Sequence, residues 1–287
     1  MNKVSRCVLG VSLAFAFSSM AAAQDAAPPK ILQITREFTK PGKNGMAHEK
    51  TESLFVQAMT RAKWPTHYVG MTSLTGKMRA LFLTQYDSFA AWEKDNQAVA
   101  KNTALSAALE HAGVVDGELL DSMDQAVLIS REDMSLRPLS DISHMRYLEI
   151  SGYHVRPGHM AEWDELVKMV KAAYESGVPG SHWGMYELAF GGDGGTFFVL
   201  TARKTLAEID MRPETDKQFA AAMGADGMKR FAELFGASVD SSQHQLFAFN
   251  PRMSYVEESW IKADPEFWKP KAAPAAKPAG EEKKSKQ

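Results

Sequence analysis

Two histidines occupy matching places in the sequence and are candidates for a catalytic or ligand-binding role. His67 stands in THYVGM and His182 in SHWGMY, and each is followed by an aromatic residue, Tyr68 or Trp183. Such a histidine can be an axial ligand of a haem iron, or a base that takes a proton from a phenolic substrate. The alternative is a hydrogen-bonded histidine at the start of a strand. The recurrence indicates a shared structural position and leaves the chemistry open.

Two further pairs have the spacing of metal ligands on a helix. His48 and Glu52 are four residues apart, and His159 and Glu162 are three apart, so each pair lies on one face of a predicted helix. The sequence offers no third and fourth ligand beside either pair, and the pairs do not fall in matching positions. We therefore predict no metal site, and the sequence identifies no cofactor.

Other catalytic signatures do not fit. The segment GGDGG, residues 191–195, joins two predicted strands and no helix or Lys-Ser/Thr pair follows it, so it predicts a hairpin turn and not a phosphate loop. No serine stands in a G-x-S-x-G turn. The single cysteine, Cys7, lies in a predicted export signal, so the mature chain has no thiolate nucleophile and no disulfide.

The sequence contains an internal repeat. Residues 41–62, PGKNGMAHEKTESLFVQAMTRA, and 157–177, PGHMAEWDELVKMVKAAYESG, both have an amphipathic helix pattern after a Pro-Gly turn. An alternating strand precedes each turn, ILQITREF in one copy and YLEISGYHV in the other. Two more strands, a second helix and a last strand follow in both copies. Ser88 and Thr205 are the predicted starts of the second helices, with further helix near 103–112 in the first copy and near 219–234 in the second.

The order β-α-β-β-α-β is that of the ferredoxin-like unit. A four-stranded sheet with helices on one face leaves the other face uncovered, and a second copy can cover it. We predict an α+β protein in which two ferredoxin-like repeats, residues 30–132 and 146–258, pack sheet to sheet as an internal α/β-barrel pseudo-dimer. The polar segment 133–145 is the predicted linker.

The first residues have the pattern of an export signal. Lys3 and Arg6 precede an apolar run, residues 8–17, that is too short to span a bilayer, and small residues precede Gln24. We predict that residues 1–23 are a signal peptide and that the mature protein is periplasmic or secreted. No other apolar run is long enough for a transmembrane segment.

The charge distribution excludes one class of partner. Residues 269–287 are rich in Lys, Pro and Ala, carry about +4 and are predicted to be a disordered tail. Without this tail and the signal, the folded body has 25 basic and 33 acidic residues, a net charge of −8. An acidic body argues against nucleic-acid binding. The basic tail offers a contact for an anionic surface, or it is a solvated tail without a partner.

The repeat resembles a known superfamily. The order of elements resembles that of the dimeric α/β barrel proteins: a strand, Lys/Arg-Pro-Gly, an amphipathic helix, and then His and a strand with Gly. YHVRPGHMAEW is similar to the first-strand motif of NIPSNAP-like domains, and LTQYDSFAAWEKD is similar to both these and antibiotic-biosynthesis-monooxygenase-like domains. The resemblance covers nearly Ile31 to Tyr255. The chain departs from NIPSNAP-like first strands, which often carry Arg where Thr35 and Ser151 stand here.

The resemblance implies a cavity and suggests which side chains face it. It places the less apolar face of the second-copy strand, with Glu149, Ser151 and Tyr153, toward the cavity, where these residues can orient a ligand. Trp183 and Tyr186 can stack on an aromatic ligand, or they belong to the core. His67, Tyr68 and His182 complete the predicted ligand-binding set.

Three functions remain open from the sequence. The first is the binding of a small apolar or aromatic molecule in a barrel cavity. The second, implied by the resemblance, is a cofactor-independent monooxygenase or a haem-binding enzyme, which requires His67 or His182 to point into the cavity. The third is a structural envelope protein without a ligand, which predicts a cavity filled by side chains.

Overall fold

The computed structural model describes residues 29–139 and 141–269. The predicted signal peptide, residues 1–23 with Cys7, lies outside the described residues, and so does the predicted tail after Lys269. None of the helices in the described ranges is long and apolar enough to cross a membrane.

The described chain alternates between strands and helices. The strands are β1 (Ile31–Thr39), β2 (Tyr68–Ser73), β3 (Arg79–Tyr86), β4 (Leu120–Ser130), β5 (Tyr147–Val155), β6 (Gly184–Phe190), β7 (Thr196–Arg203) and β8 (Val239–Phe249). The helices are α1 (Met46–Ala62), α2 (Phe89–Lys101), α3 (Thr103–Gly117), α4 (Met160–Gly177), α5 (Ala207–Asp210), α6 (Arg212–Ser238), α7 (Glu258–Ala263) and α8 (Pro265–Trp268). We call β1 to β4 with their helices the first half, and β5 to β8 with theirs the second half.

All eight strands form one closed antiparallel barrel in the order β1-β3-β2-β8-β5-β7-β6-β4. In each half the first strand is central: β1 pairs with β3 and β4, and β5 pairs with β7 and β8. The halves join at two short seams, where Met71 pairs with Phe249 and Leu128 with Leu188. The two groups of four strands are therefore hydrogen-bonded edge to edge, and each seam satisfies strand edges that would otherwise be unpaired.

The alternating strand pattern decides which side chains enter the barrel. Leu32 and Ile34 from β1, and Leu148 and Ile150 from β5, lie in one buried core cluster that also holds Phe247. The odd-numbered positions of β5 lie on the opposite face, since successive strand residues point to opposite sides. The predicted apolar faces of β1 and β5 are confirmed, and they fill the interior of the barrel.

The segment after β8 caps one end of this core. Trp268 on α8 is buried in the same cluster, beside Trp260 at 5.1 Å and Phe249 at 6.2 Å between ring centroids. Its indole Nε1 donates to the carbonyl oxygen of Ser143 at 2.6 Å. Arg146 also donates to Asp264, which precedes α8. Side chains from the end of the described chain are thus part of the barrel core.

Several local predictions are confirmed and others differ. Ser88 caps α2, since its hydroxyl accepts from the backbone N–H of Ala91 at 3.1 Å. The GGDGG turn joins β6 to β7 as predicted. In the second half the predicted start at Thr205 is followed by the short α5, which begins at Ala207 and has only four residues. Helix α6 covers the further helix predicted near 219–234 but begins earlier, at Arg212. Gly224 interrupts α6 with non-helical angles, φ 67° and ψ 172°.

The predicted linker 133–145 packs more closely than a polar linker would. Met134 and Leu136 are only 3% and 1% exposed, and Leu136 forms an isolated bridge with Trp183. Met145 joins the barrel core. In its described part this segment therefore belongs to the folded body, because it covers side chains of the second half.

Candidate functional site

A well-formed space in the second half lies outside the barrel, between its outer surface and the helices. It has a volume of about 790 Å³ and is lined by β5, β7, α4 and α6. Barrel-interior side chains do not contribute to it, since the outward positions of β5 supply its floor. We call this space the second-half pocket. The second-half pocket is therefore a cavity between the sheet and the helices, and it does not lie inside the barrel, where the sequence predicts the ligand.

Aromatic side chains form the walls of the second-half pocket. The Tyr153 ring lies 5.6 Å from Trp163 and 6.5 Å from Phe235, measured between centroids. A second group stands at the other side, where Tyr174 contacts Trp183 edge-on at 5.2 Å. Rings in these arrangements fit another flat ring well, because edge-to-face and tilted contacts are favourable.

A fixed charged group closes one end of the pocket. Glu149 on β5 accepts two hydrogen bonds from Arg203, at 3.0 and 2.6 Å, and one from Arg212 at 2.7 Å. Burial alone would raise the pKa of Glu149, but the two guanidinium groups outweigh it and hold the pKa below its ordinary value. The carboxylate is therefore ionised at neutral pH and is held in place from two directions.

A serine and a histidine form a polar pair on the pocket floor. Ser151 Oγ lies 2.9 Å from His244 Nδ1, and the two residues face each other across β5 and β8. Among the described residues, Nε2 of His244 has no hydrogen-bond partner. Tyr153 lies edge-on to the same imidazole at 6.0 Å. This pair can hydrogen-bond a hydroxyl group on a ligand held between the aromatic walls.

His182 and Trp183 line the pocket, but their polar atoms are engaged by the backbone. His182 Nε2 lies 2.9 Å from the carbonyl oxygen of Ala202, and Nδ1 lies 3.2 Å from that of Gly180. The indole Nε1 of Trp183 donates to the carbonyl oxygen of Met134 at 3.0 Å. The structure thus uses His182 as a hydrogen-bonded histidine at a strand end, which was the alternative to a chemical role.

The other three predicted residues lie elsewhere. His67 stacks on Tyr255 at 4.7 Å in a groove of the first half. Tyr186 is 4% exposed and belongs to the barrel core, because its position in β6 points inward. Tyr68 lies in the first half near Phe82. The structure therefore brings together Glu149, Ser151, Tyr153, His182 and Trp183 from the predicted set, and it does not bring His67, Tyr68 or Tyr186 to them.

His182, one of the two histidines proposed as haem ligands, does not fit that role. An axial ligand needs a ring nitrogen directed at the iron, and both ring nitrogens of His182 face backbone carbonyl oxygens. His67 stands outside the second-half pocket. We therefore derive no chemistry through haem from these residues.

Sequence reasoning missed Arg203, Arg212 and His244. Arg203 shares a face of β7 with Thr201, which pairs with Glu149, so alternation together with the register would have placed it beside the carboxylate. His244 becomes a neighbour of Ser151 only through the pairing of β5 with β8. Arg212 reaches the site from a helix whose start the sequence does not mark.

The corresponding space in the first half is filled by polar side chains. Glu37 stands four residues before Pro41, as Tyr153 stands four before Pro157, yet the two positions hold a carboxylate and a phenol. Glu37 lies beside the His48–Glu52 pair of α1 and beside Asp116, which follows the predicted helix 103–112. The group consists of Glu37, His48, Glu52 and Asp116. We call these four residues the buried polar cluster. The fold thus brings two further carboxylates, those of Glu37 and Asp116, beside the His48–Glu52 pair, which the sequence did not reveal.

Comparison with known proteins supports the fold. No family model matches the chain, and a search among curated proteins finds no match. Solved structures do match. An anthrone oxidase-like protein aligns over 80% of this chain and 95% of its own, with a TM-score of 0.50 and 16% identity. A candidate monooxygenase of Fusobacterium nucleatum subsp. nucleatum ATCC 25586 aligns over 78% and 94%, with a TM-score of 0.48 and 11% identity.

A dye-decolorizing peroxidase from Bacteroides thetaiotaomicron VPI-5482 aligns over 78% of this chain and 94% of its own, with a TM-score of 0.45 and 8% identity. At such identities the likeness concerns the fold alone. The protein is an α+β protein with an eight-stranded antiparallel barrel, and its fold is that of the dimeric α/β barrel proteins.

Proposed function

We propose that the protein binds a small, neutral aromatic molecule with a hydroxyl group in the second-half pocket. The observation that carries this proposal is a space of about 790 Å³ with aromatic walls and one polar pair on its floor. Sites for small organic ligands have this composition, with apolar walls and a few placed polar groups. A structural protein without a ligand would have this space filled by side chains.

The charge of the lining favours a neutral ligand over an anionic one. The lining includes two guanidinium groups, Arg203 and Arg212, and both are already bonded to Glu149. Three more carboxylates, those of Glu208, Glu214 and Asp216, also border the space. An anion would therefore meet four carboxylates against two cations that are already paired, and it would lose its hydration without full compensation.

Calorimetric titration with 1-naphthol, 1-naphthoate and naphthalene tests this proposal. We expect 1-naphthol to bind most tightly, and Ser151→Ala to bring its affinity close to that of naphthalene. Val170→Trp should block binding, because Val170 lines the pocket from α4. Val56→Trp is the matched control: Val56 is a half-buried valine on α1 of the first half, and it lies outside the second-half pocket. Equal binding of naphthol by both Trp variants would exclude this pocket.

A second candidate function is a cofactor-independent monooxygenase, and the Ser151–His244 pair favours it. Such a reaction begins when a base removes a proton from a phenolic substrate, and His244 keeps Nε2 free of partners among the described residues while Ser151 holds Nδ1. Oxygen consumption with 1-naphthol, measured in an oxygen electrode, tests this. We expect His244→Gln to bind the naphthol and to consume no oxygen. Consumption at the wild-type rate in that variant would refute the role of His244.

We also propose the finer domain organisation and the cell compartment. The matching strand and helix order supports two ferredoxin-like repeats, residues 30–132 and 146–258, derived from a NIPSNAP-like or monooxygenase-like ancestor. Lys3, Arg6 and the apolar run that follows support export to the periplasm or beyond. Mass spectrometry of the protein from the cell envelope tests the second point, and a mature N-terminus at Gln24 is the expected result.

A further inference from the structure

The buried polar cluster has no role in the second-half pocket. It lies in the other half, where Glu37 comes from β1, His48 and Glu52 from α1, and Asp116 from α3. Their exposed fractions are 6%, 1%, 3% and 2%, in that order. Three carboxylates and an imidazole are thus withdrawn from water between a sheet and two helices.

The geometry converges on one atom. Nε2 of His48 lies 3.2 Å from Glu37 Oε2, 3.4 Å from Asp116 Oδ1 and 3.9 Å from Glu52 Oε1. One atom from each of the four side chains can be chosen so that all lie within 4.8 Å of one another. Ligand atoms that share a metal ion at about 2.1 Å are about 3 to 4 Å apart, so the three distances from Nε2 suit a common ion.

The charge of the cluster is not balanced by the protein. Among the described residues, no lysine or arginine forms an ion pair with Glu37, Glu52 or Asp116; the basic group beside them is the imidazole of His48. A buried carboxylate that is not paired strongly destabilises the folded state. A group of acids in this setting needs either protons or a cation.

One buried polar atom of the cluster lacks a partner. Oε1 of Glu52 is buried and has no hydrogen-bond partner among the described residues. Native proteins rarely leave such atoms unsatisfied. The cluster therefore has capacity for a further bound species.

One ligand of the cluster is already oriented from outside it. Thr51 on α1 lies within hydrogen-bonding distance of both Asp116 Oδ1 and the carbonyl oxygen of His48. Partners of this kind fix the direction of a ligating carboxylate and tune the affinity of metal sites.

We propose that Glu37, His48, Glu52 and Asp116 bind one divalent first-row transition-metal ion of the Mn²⁺ or Fe²⁺ type. Three carboxylates suit hard cations and one imidazole adds preference for transition metals, so the donor set lies between the Mg²⁺ and Zn²⁺ types. The ion ties β1, α1 and α3 together. Because all four ligands are nearly inaccessible, it exchanges slowly and enters when the protein folds.

The experiment loads the metal during folding. The purified protein is unfolded in guanidinium with EDTA and refolded with Mn²⁺, Zn²⁺, Mg²⁺ or no metal, and with Fe²⁺ under anaerobic conditions. Metal content after desalting is measured by inductively coupled plasma mass spectrometry. We expect one equivalent of Mn²⁺ or Fe²⁺ per chain, less Mg²⁺ or Zn²⁺, and a higher Tm than after refolding without metal. Pulsed EPR of the Mn²⁺ form should show one directly coordinated nitrogen, that of His48.

Variants separate a metal site from a network of shared protons. Asp116→Asn and His48→Gln should lose the bound metal, and Thr51→Val should weaken metal affinity by about 10- to 100-fold. His159→Gln is the matched control, since His159 pairs with Glu162 on α4 at 3.4 Å in an exposed position; it should keep the full equivalent. Glu52→Gln should lose both the metal and the gain in Tm.

Two outcomes would overturn the proposal. One is wild-type protein that refolds with no bound metal and no change in Tm under any of these conditions. The other is a bound Mn²⁺ whose EPR spectrum contains no nitrogen coupling. In either case Glu52→Gln would be expected to match the wild type in Tm, because an amide can replace a protonated carboxyl group in a shared-proton network. These readouts do not depend on the function of the second-half pocket.

Discussion

Glu37 and Tyr153 show how far the two halves have diverged at one strand position. Glu37 contacts His48 in the buried polar cluster, and Tyr153 contacts Trp163 in an aromatic wall. The backbone around each is similar: strand, basic residue, Pro-Gly and helix. The same strand position therefore contributes a carboxylate to the space under the helix in the first half and an aromatic ring in the second half.

At the same scale, the engagement of His182 by carbonyl oxygens leads to a prediction about haem. In a haem titration that follows the Soret band, the curves of wild type and His182→Ala should coincide, because neither ring nitrogen of His182 is directed at the pocket. His67→Ala serves as the control outside the pocket. A saturable shift in the wild type that disappears in His182→Ala would show that the ring turns to bind iron.

Glu149 leads to a prediction about pH. Its pKa is held below the ordinary value of 4.5, so its contribution to stability is complete above that value and is lost as the pH falls through the folded-state pKa. Glu149→Gln should lower the free energy of unfolding at pH 7 by about 1 to 3 kcal/mol, since charged hydrogen bonds to a largely buried group are lost. Urea unfolding between pH 3 and pH 7 measures this.

The difference between wild type and Glu149→Gln should shrink toward pH 3. The control is Glu165→Gln, which breaks an exposed pair with Arg230 and should change stability little at any pH. A Glu149→Gln effect that stayed constant over the whole range would show that the lost stability does not come from the charge.

At the scale of elements, the break in α6 leads to a prediction at Gly224. Its φ of 67° lies in the left-handed region, and an added Cβ would meet nothing within 4 Å, so the cost of Gly224→Ala is one of backbone conformation. We expect a loss of about 1 to 3 kcal/mol in the free energy of unfolding. Gly236→Ala in the same helix is the control, and it should be neutral or stabilising by up to about 1 kcal/mol.

A Gly224→Ala variant that matched Gly236→Ala in stability would show that α6 can run unbroken. The thermal unfolding midpoint of each variant, followed by circular dichroism, gives the comparison. Because residues before the break, such as Arg212, reach the pocket, naphthol binding should also weaken in Gly224→Ala.

The elements differ in how well the sequence predicts them, and the reason is physical. The strand alternation of β1 and β5, the cap at Ser88 and the GGDGG turn are confirmed because each depends on neighbouring residues. The starts of α5 and α6 are not marked by a capping side chain, and the helix start predicted at Thr205 leads only to the four-residue α5. Helix α3 runs to Gly117, past the predicted end, because it packs against α1.

The candidate sites were predictable only in part for the same reason. Glu149, Ser151 and Tyr153 share a strand face, and alternation is enough to group them. Asp116 reaches His48 from another helix, 68 residues later in the sequence, and no local pattern connects them. Such contacts depend on register and packing, which a single sequence does not display.

At the scale of the whole molecule, closure of the barrel leads to a prediction about cooperativity. Each half has both its sheet edges paired with the other half, at β2–β8 and β4–β6. Neither half can unfold without exposing these edges and the shared core, so denaturant should produce one transition. Far-UV circular dichroism and tryptophan fluorescence should give the same midpoint. Two transitions with separate midpoints would show that the halves are independent domains.

Because Trp268 caps the barrel, folding of the barrel depends on how much of the chain has been synthesised. Among the described elements, β1 is synthesised first and α8 last, yet both contribute to one core. Strand β2 can pair with β8 only after Phe249, the partner of Met71, has been synthesised. A nascent chain that stops before this point keeps an open strand edge and an uncovered apolar surface, which are sites for aggregation and for chaperones. The protein therefore completes its fold after synthesis of nearly all the described residues, and a stop codon shortly before Trp268 would be expected to abolish the native state.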